Sequence, residues 1–218
     1  MKPAPERPSR KDAAELLYRN DRAWLGRNPL LIGVDEAGRG ALAGPVVVAA
    51  VALDYSQPIP GLNDSKKISP ARREKLFEAI ISTAEYHIAE IDPAYIDSHN
   101  ILRATLMGMS RAIGAISSPG HLCLVDGLQI PAGACCECQP VVRGDSLHAC
   151  VAAASILAKV HRDRLMRSLD PVYPLYGFAD HKGYGTARHL KAILEHGPCA
   201  IHRKTFAPMA TMFPVAGS

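Results

Sequence analysis

Two adjacent carboxylates, Asp35 and Glu36, close a short apolar run and are followed at once by glycines. Burying unpaired charge is costly, so a strand that ends in two acids needs something to neutralise them. A hard divalent cation is the usual neutraliser, because it prefers oxygen ligands. Glycine lets the backbone approach a ligand closely. Residues 30–40 therefore indicate a metal-assisted enzyme acting on a phosphorylated substrate, with an exposed acid pair in a turn as the structural alternative.

Two further acids lie at the ends of predicted elements. Asp126 follows the apolar run 121–125, and Asp145 is expected to open an apolar helix. Ligands gather outside the carboxyl ends of strands in an open α/β sheet, so these acids can converge with Asp35 at one edge. Each also has a structural explanation, Asp126 as a turn residue and Asp145 through the helix dipole. Because neighbouring side chains of a strand alternate, we expect β-structure to bend or end between Asp35 and Glu36.

The elements that must position these acids form an alternating pattern. Short apolar, often β-branched runs predict strands at residues 30–34, 45–53, 86–91, 121–125 and 140–143. Helical spacing and capping residues predict helices at 9–25, from 70 onward, 100–116, 146–168 and 186–196. This order indicates an α/β layer fold with a mixed sheet.

The bulk properties are those of a globular protein and permit a polyanionic partner. A length of 218 residues suits a single domain spanning 1–218, with residues 1–9 flexible and a helical C-terminal part from about 170. The net charge of +4 permits a nucleic-acid partner. No apolar stretch is long enough to span a bilayer, and residues 1–10 do not form a secretory signal. We therefore expect a cytoplasmic monomer with no membrane partner.

Three of the six cysteines, Cys135, Cys136 and Cys138, are clustered in the sequence. In a cytosolic protein they should be reduced. The cluster lacks the two separated ligand pairs that are typical of a structural zinc site. We interpret these cysteines as ordinary surface-turn residues, with a zinc site as the less favoured alternative.

A series of motifs resembles type 2 ribonuclease H (ribonuclease HII) of the bacterial type. The opening signature is DEAGRG at residues 35–40, with GPVV at 44–47. The same family order continues with NDSKK at 63–67, VDG at 125–127, GDS at 144–146, AAASILAKV at 152–160, KGYGT at 182–186 and HRKTF at 202–206. The resemblance covers about residues 14–208. It implies a ribonuclease H-like fold, with a mixed five-stranded central sheet flanked by helices and a helical C-terminal extension.

The resemblance also implies an activity. The family's four catalytic acids map onto Asp35, Glu36, Asp126 and Asp145, which would hold two Mg²⁺ or Mn²⁺ ions. Such a pair of ions activates water and stabilises the leaving oxygen of a phosphoryl displacement. The implied reaction is endonucleolytic cleavage of the RNA strand of RNA–DNA hybrids. The family also cuts 5′ to a single ribonucleotide embedded in duplex DNA, leaving a 3′-hydroxyl and a 5′-phosphate.

The residues implied to bind substrate lie in three loops. They are Gly38, Arg39, Gly40, Ser65, Lys66, Lys67 and Tyr184. Tyr184 would read the 2′-hydroxyl, the group that separates RNA from DNA, and its structural alternative is a core tyrosine. Lys66 and Lys67 would contact phosphates, which positions a duplex without reading its sequence, or would form a solvated charge pair.

Several alternatives remain open at this point. The type 3 ribonuclease H, a non-catalytic binder of hybrid duplexes and a cysteine-held zinc module are the rival interpretations. Leu128 stands where the family commonly has Asn, and the cysteine cluster is not a family feature. His202 and Arg203 could approach substrate or pack the C-terminal segment. Residues 211–218 contain no clear sliding-clamp motif.

Overall fold

A five-stranded mixed sheet in the order β3-β2-β1-β4-β5 forms the centre of the computed structural model, which describes residues 10–26 and 30–213. The strands are β1 (Leu31–Ala37), β2 (Val46–Ala52), β3 (Glu85–Ile91), β4 (Leu122–Asp126) and β5 (Glu137–Val141). β2 pairs antiparallel with β1 and β3, whereas β4 pairs parallel with β1 and β5. The predicted mixed five-stranded sheet is confirmed.

Helices cover both faces of this sheet and form the C-terminal part. They are α1 (Arg10–Leu25), α2 (Pro70–Thr83), α3 (Pro93–Ile116), α4 (Ala149–Leu169), α5 (Phe178–His181), α6 (Ala187–His196) and α7 (Met209–Met212). No helix within the described ranges is long and apolar enough to cross a bilayer. The predicted flexible segment 1–9 and the end of the tail, 214–218, lie outside the described residues. The single-domain organisation stays a prediction.

The core has two layers because the sheet is buried on both faces. β2 is buried along its whole length, as its near-continuous apolar sequence predicts. α4 packs on one face and α3 on the other. A Cβ atom at Gly33 would lie 2.1 Å from the backbone carbon of Cys150, so this glycine allows α4 to approach β1 closely. That approach brings the start of α4 against the first half of β1.

The prediction that Asp145 opens the central helix was wrong. Asp145 lies in a separate 3₁₀ turn, Gly144–Ser146, and α4 begins at Ala149. The start of α4 is held by a residue distant in sequence. The Asp21 carboxylate of α1 accepts a 2.9 Å hydrogen bond from the Cys150 amide and lies 2.9 Å from His148 Nδ1. This carboxylate takes the part that an N-cap serine or threonine would otherwise play.

Helix α3 begins earlier than predicted and contains a kink. Asp92 caps its first turn by accepting a hydrogen bond from the Tyr95 amide, 2.7 Å away. At Asn100 the backbone leaves the helical region, with φ 69° and ψ 163°. The Asn100 side chain then accepts a 3.0 Å hydrogen bond from the Arg103 amide, so it caps the second segment. The predicted start at residue 100 therefore marks this internal cap.

The interpretation of the clustered cysteines as surface-turn residues was wrong for two of them. β5 begins at Glu137, three residues before the predicted start, so Cys138 lies in a strand. Cys138 and Cys136 are half-buried and pack against the apolar layer between the sheet and α3. Cys135 is exposed.

Candidate active site

β1 continues without interruption past its two acids, so the expected break between Asp35 and Glu36 was wrong. Its pairing with β2 stays in register through Ala37. Its pairing with β4, in contrast, stops at Val34. Beyond that point the edge of β1 on the β4 side is free. Carboxylates from opposite faces of the strand can therefore both reach the space beyond the end of β4.

A cavity of about 330 Å³ occupies this space. It is lined by Asp35, Glu36, Ala37, Gly38, Ser65, Lys66, Arg73, Asp126, Ser155, Lys159 and Tyr184. We call this cavity, together with the adjoining Asp145, the acid cleft. Three of the four predicted acids and four of the predicted substrate-binding residues lie around it, although they come from distant parts of the chain.

The carboxylates of the acid cleft repel one another. Burial raises the pKa of Asp35 well above its usual range, and the charges of Glu36 and Asp126 raise it further. Burial also raises the pKa of Asp126, against the hydrogen bond that its Oδ1 accepts from the Gly144 amide at 2.7 Å. Burial raises the pKa of Glu36, and the Arg39 guanidinium 3.3 Å away opposes that rise.

Asp145 joins the cleft through a lysine and does not line the cavity itself. Its buried carboxylate lies 3.1 Å from Lys66 Nζ, and this hydrogen bond raises the pKa of Lys66. Lys67 points elsewhere, to Asp64 at 3.3 Å and to Ser146 Oγ at 3.1 Å. The two lysines are therefore not equivalent. Lys66 contacts one of the acids, whereas Lys67 links its own 3₁₀ turn, Ser65–Lys67, to the 3₁₀ turn that carries Asp145.

The donor set fits a hard divalent cation. It contains carboxylate oxygens, and Glu36 Oε2 is buried without a hydrogen-bond partner. Within the described part of the chain, no three of these acids bring oxygens within 4.8 Å of one another. Among the protein's own side chains, Arg39 partly neutralises Glu36 and Lys66 partly neutralises Asp145. The unpaired Glu36 Oε2 leaves one buried carboxylate oxygen of the cleft without a partner among the described residues.

The two glycines beside the acids have different physical roles. Gly38 has φ +94°, and a Cβ atom there would lie 2.0 Å from Arg162 Nε. Arg162 is only 1% exposed and donates hydrogen bonds to the carbonyls of Ala43 and Lys182, each at 3.0 Å. Gly38 is therefore required by packing. Gly40 is exposed, with open space where a side chain would stand, and it presents bare backbone at the rim.

Tyr184 is half-buried with its ring at the cleft, which argues against a core tyrosine. Lys159 Nζ and Arg162 Cζ lie 5.7 and 5.4 Å from its ring centroid, within reach of cation–π attraction. The ring therefore lies close to two cations of α4. The backbone of the loop that carries Tyr184 is held by other contacts, which do not involve the ring.

That loop rests on His181, His189 and His202, which we call the histidine cluster. The Tyr184 carbonyl accepts from His189 Nδ1 at 3.0 Å, and His189 Nε2 lies 3.0 Å from His202 Nε2. The Cys199 amide donates to His202 Nδ1 at 2.9 Å, so His202 carries its proton on Nε2 and donates to His189. Burial lowers the pKa of both His189 and His202 to about 4. The cluster is consistent only with neutral rings.

His202 and Arg203 therefore pack the C-terminal segment. Arg203 is fully buried and donates hydrogen bonds to the carbonyls of Arg39 and Gly44, at 2.8 and 3.0 Å. Through Arg39 the segment supports the loop that follows the acid pair. This settles the open alternative for both residues in favour of packing.

Sequence reasoning missed three polar residues of the cleft, which are Ser155, Arg73 and Lys159. Ser155 is the only polar residue in the otherwise apolar stretch 149–158 of α4, and that exception was a usable signal. Its Oγ lies 2.9 Å from Ser65 Oγ. Arg73 donates to the carbonyls of Ser65 and Ile68, at 2.7 and 2.8 Å, which fixes the loop carrying the lysines. No sequence pattern distinguishes Arg73 from other helix-surface arginines.

Comparison with known proteins decides the family, because the model of the ribonuclease HII family matches residues 32–209. The chain belongs to the ribonuclease HII family. Ribonuclease HII 1 of Methylibium petroleiphilum is 55% identical over 181 residues, which cover 83% of this chain and 91% of that relative. The resemblance deduced from the motifs is confirmed, and the chain is a ribonuclease H endonuclease. The type 3 and non-catalytic interpretations are thereby disfavoured.

Solved structures confirm the ribonuclease H-like fold. Ribonuclease H2 from Pyrococcus horikoshii OT3 superposes with a TM-score of 0.71 at 25% identity, covering 84% of this chain and 96% of that one. Bst-RNase HIII, solved in complex with Mn²⁺, superposes with a TM-score of 0.61 at 21% identity, covering 83% and 68%. The second likeness concerns the fold alone.

Proposed function

We propose that this ribonuclease HII cleaves the RNA strand of RNA–DNA hybrids and also cuts 5′ to a single ribonucleotide embedded in duplex DNA. The observation that carries the proposal is the shared cavity of Asp35, Glu36, Asp126 and Tyr184. Hydrolysis of a phosphodiester needs the acids, and selection of a ribonucleotide needs a reader of the 2′-hydroxyl. Both requirements meet in one cleft. The products would be a 3′-hydroxyl and a 5′-phosphate, as in ribonucleotide removal from DNA.

Asp35, Glu36, Asp126 and Asp145 would hold two Mg²⁺ or Mn²⁺ ions. Such ions, when bound, supply an activated water and stabilise the leaving oxygen. The protein contributes four carboxylates in fixed positions, because Gly144 orients Asp126 and the 3₁₀ turn orients Asp145. The raised pKa values of Asp35, Glu36 and Asp126 mean that proton loss from these groups and cation binding are coupled.

The cations now paired with the acids would change partners when substrate binds. Lys66 keeps 79% of its side chain exposed while it contacts Asp145, so it can turn to a phosphate. Arg39 is likewise 49% exposed beside Glu36. Ser65 and Lys67 would add contacts to the backbone of the same nucleic-acid strand. Gly40 would present its own backbone to the sugar of the ribonucleotide. We further propose a single-domain monomer in the cytoplasm, where its six free cysteines stay reduced.

The proposal is tested with a DNA duplex that carries one internal ribonucleotide, offered with Mg²⁺ or Mn²⁺. We expect one cut on the 5′ side of the ribonucleotide, cleavage of an RNA–DNA hybrid of the same sequence, and no cut in the all-DNA duplex. Cleavage of the hybrid alone would remove the single-ribonucleotide activity. Binding of the hybrid without cleavage under either metal would support the non-catalytic alternative.

A further inference from the structure

Three cysteine sulfurs meet in the layer between the sheet and α3, away from the four acids. Cys123 of β4 stands directly opposite Cys138 of β5 in the parallel register, and Cys136 lies just before β5. Their Sγ atoms all lie within 4.8 Å of one another, and those of Cys123 and Cys136 are 3.2 Å apart. We call these three residues the thiol cluster. The pairing of β4 with β5 brings Cys123 to the other two cysteines. The sequence argument against a metal site considered only the spacing of Cys135, Cys136 and Cys138, so it does not apply to this cluster.

The burial and composition of the thiol cluster suit a soft cation. Cys123 is fully buried, whereas Cys136 and Cys138 are half-buried, so the cluster lies between the core and the surface. Thiolates select soft ions such as Zn²⁺ and Cu⁺ over Mg²⁺. With metal–sulfur bonds of about 2.3 Å, ligand sulfurs stand about 4 Å apart. All three sulfurs lie within 4.8 Å of one another, and the 3.2 Å pair of Cys123 and Cys136 would have to move apart by less than about 1 Å to bind the ion. A disulfide would join two sulfurs and leave the third unused.

We propose that Cys123, Cys136 and Cys138 form a binding site for a thiophilic cation, Zn²⁺ or Cu⁺. Three thiolates complete a trigonal Cu⁺ site, and they leave one position of a tetrahedral Zn²⁺ site to water or to the exposed Cys135. Binding displaces thiol protons. Because two ligands lie on β4 and β5 and the third lies just before β5, the bound ion would tie the edge strand to the strand that ends in Asp126.

The test uses the full-length reduced protein without nucleic acid, so its outcome does not depend on the nuclease activity. Co²⁺ is the probe for a zinc-type site, because sulfur ligation produces an intense thiolate-to-cobalt band that carboxylate ligation does not. We expect one equivalent of Co²⁺ to develop this band, Zn²⁺ to abolish it, and the melting temperature to rise on Zn²⁺ addition. Cys138→Ser and Cys136→Ser should each weaken Zn²⁺ binding at least tenfold. Cys199→Ser, which removes a half-buried thiol outside the cluster, is the matched control.

A Cu⁺ titration against a chromophoric chelator distinguishes the two ions. One equivalent of Cu⁺ retained by the wild type and lost in Cys138→Ser, with no cobalt band, would assign the site to Cu⁺. Equal binding of both ions by the wild type, Cys138→Ser and Cys136→Ser would overturn the proposal. So would loss of two titratable thiols to a disulfide in a protein that, once reduced again, takes up neither ion.

Discussion

The acid cleft and the histidine cluster lie on either side of Tyr184, and both bury titratable groups, yet they respond to protons in opposite ways. In the cleft, burial and repulsion raise the pKa values of Asp35, Glu36 and Asp126, so adding a proton stabilises the folded state. In the cluster, each hydrogen bond uses a neutral ring, so an added proton breaks a contact. Folding therefore strengthens proton binding in the first region and weakens it in the second.

This contrast has a thermodynamic sign. A carboxyl group whose pKa is raised by folding stabilises the folded state at low pH, and that contribution is lost as pH rises through the folded pKa. A histidine whose pKa is lowered from 6.5 to about 4 stabilises the folded state above pH 6.5, and that contribution is lost as pH falls toward 4. The two regions therefore oppose each other in mildly acidic solution. A substitution that removes the titrating groups of one region should therefore expose the pH dependence of stability that the other region contributes.

The largest expected effect comes from removing one repelling charge in the cleft. Asp126→Asn keeps an oxygen for the Gly144 amide but takes away a carboxylate ligand. We expect cleavage to fall by at least about 100-fold, while stability at pH 7 rises by about 1 kcal/mol as the repulsion is relieved. Single-turnover cleavage and urea unfolding measure the two changes. The control is Asp54→Asn, which changes an acid in a turn that accepts hydrogen bonds from Ser56 and Gln57. A near-normal cleavage rate in Asp126→Asn would show that Asp126 is not part of the site.

The next effect concerns the histidine cluster. His189→Gln cannot keep both hydrogen bonds of His189, to the Tyr184 carbonyl and to His202. We therefore expect the free energy of unfolding at pH 7 to fall by about 2 kcal/mol. The wild type should also lose stability between pH 6.5 and 4 more steeply than the variant, because the variant lacks one lowered pKa. Thermal unfolding across this range measures both. His87→Gln, at an exposed position of β3, is the matched control, and equal pH slopes for wild type and His189→Gln would contradict the neutral cluster.

The smallest of these effects lies between the two regions. Tyr184→Ala removes the ring from the cleft and leaves the loop backbone on the histidine cluster. We expect cleavage at a single embedded ribonucleotide to fall about tenfold more than cleavage of a continuous hybrid, since one missing sugar contact costs about 1.4 kcal/mol. Tyr86→Ala, which removes an exposed tyrosine of β3, serves as control. Equal losses on both substrates would show that Tyr184 does not read the 2′-hydroxyl.

The cleft was more predictable from sequence than the cluster, for a physical reason. Asp35, Glu36 and Asp126 carry local signals, because each acid ends an apolar run and a glycine follows within a few residues. Arg162 donates to backbone carbonyls, and the histidines bond to backbone groups and to one another. Backbone groups leave no sequence signal.

The errors in the predicted elements have the same origin. The start of α4 depends on Asp21, which is 129 residues away from the amide that it caps. The continuity of β1 depends on its pairing with β2, whereas alternation along β1 alone suggested a break. The thiol cluster depends on the register between β4 and β5. In each case the deciding partner is distant in the chain.

The most direct test of the central claim is the effect of Mn²⁺ on thermal stability, compared between wild type and Asp126→Asn at pH 7 and pH 5. Ligand that binds only the folded state raises the melting temperature, and carboxylates must lose their protons to bind a cation. We predict a clear rise for the wild type at pH 7, a smaller rise at pH 5, and a much smaller rise for Asp126→Asn at either pH. An equal rise in both proteins, or no rise in the wild type, would contradict the assignment of the acid cleft as a divalent-cation site.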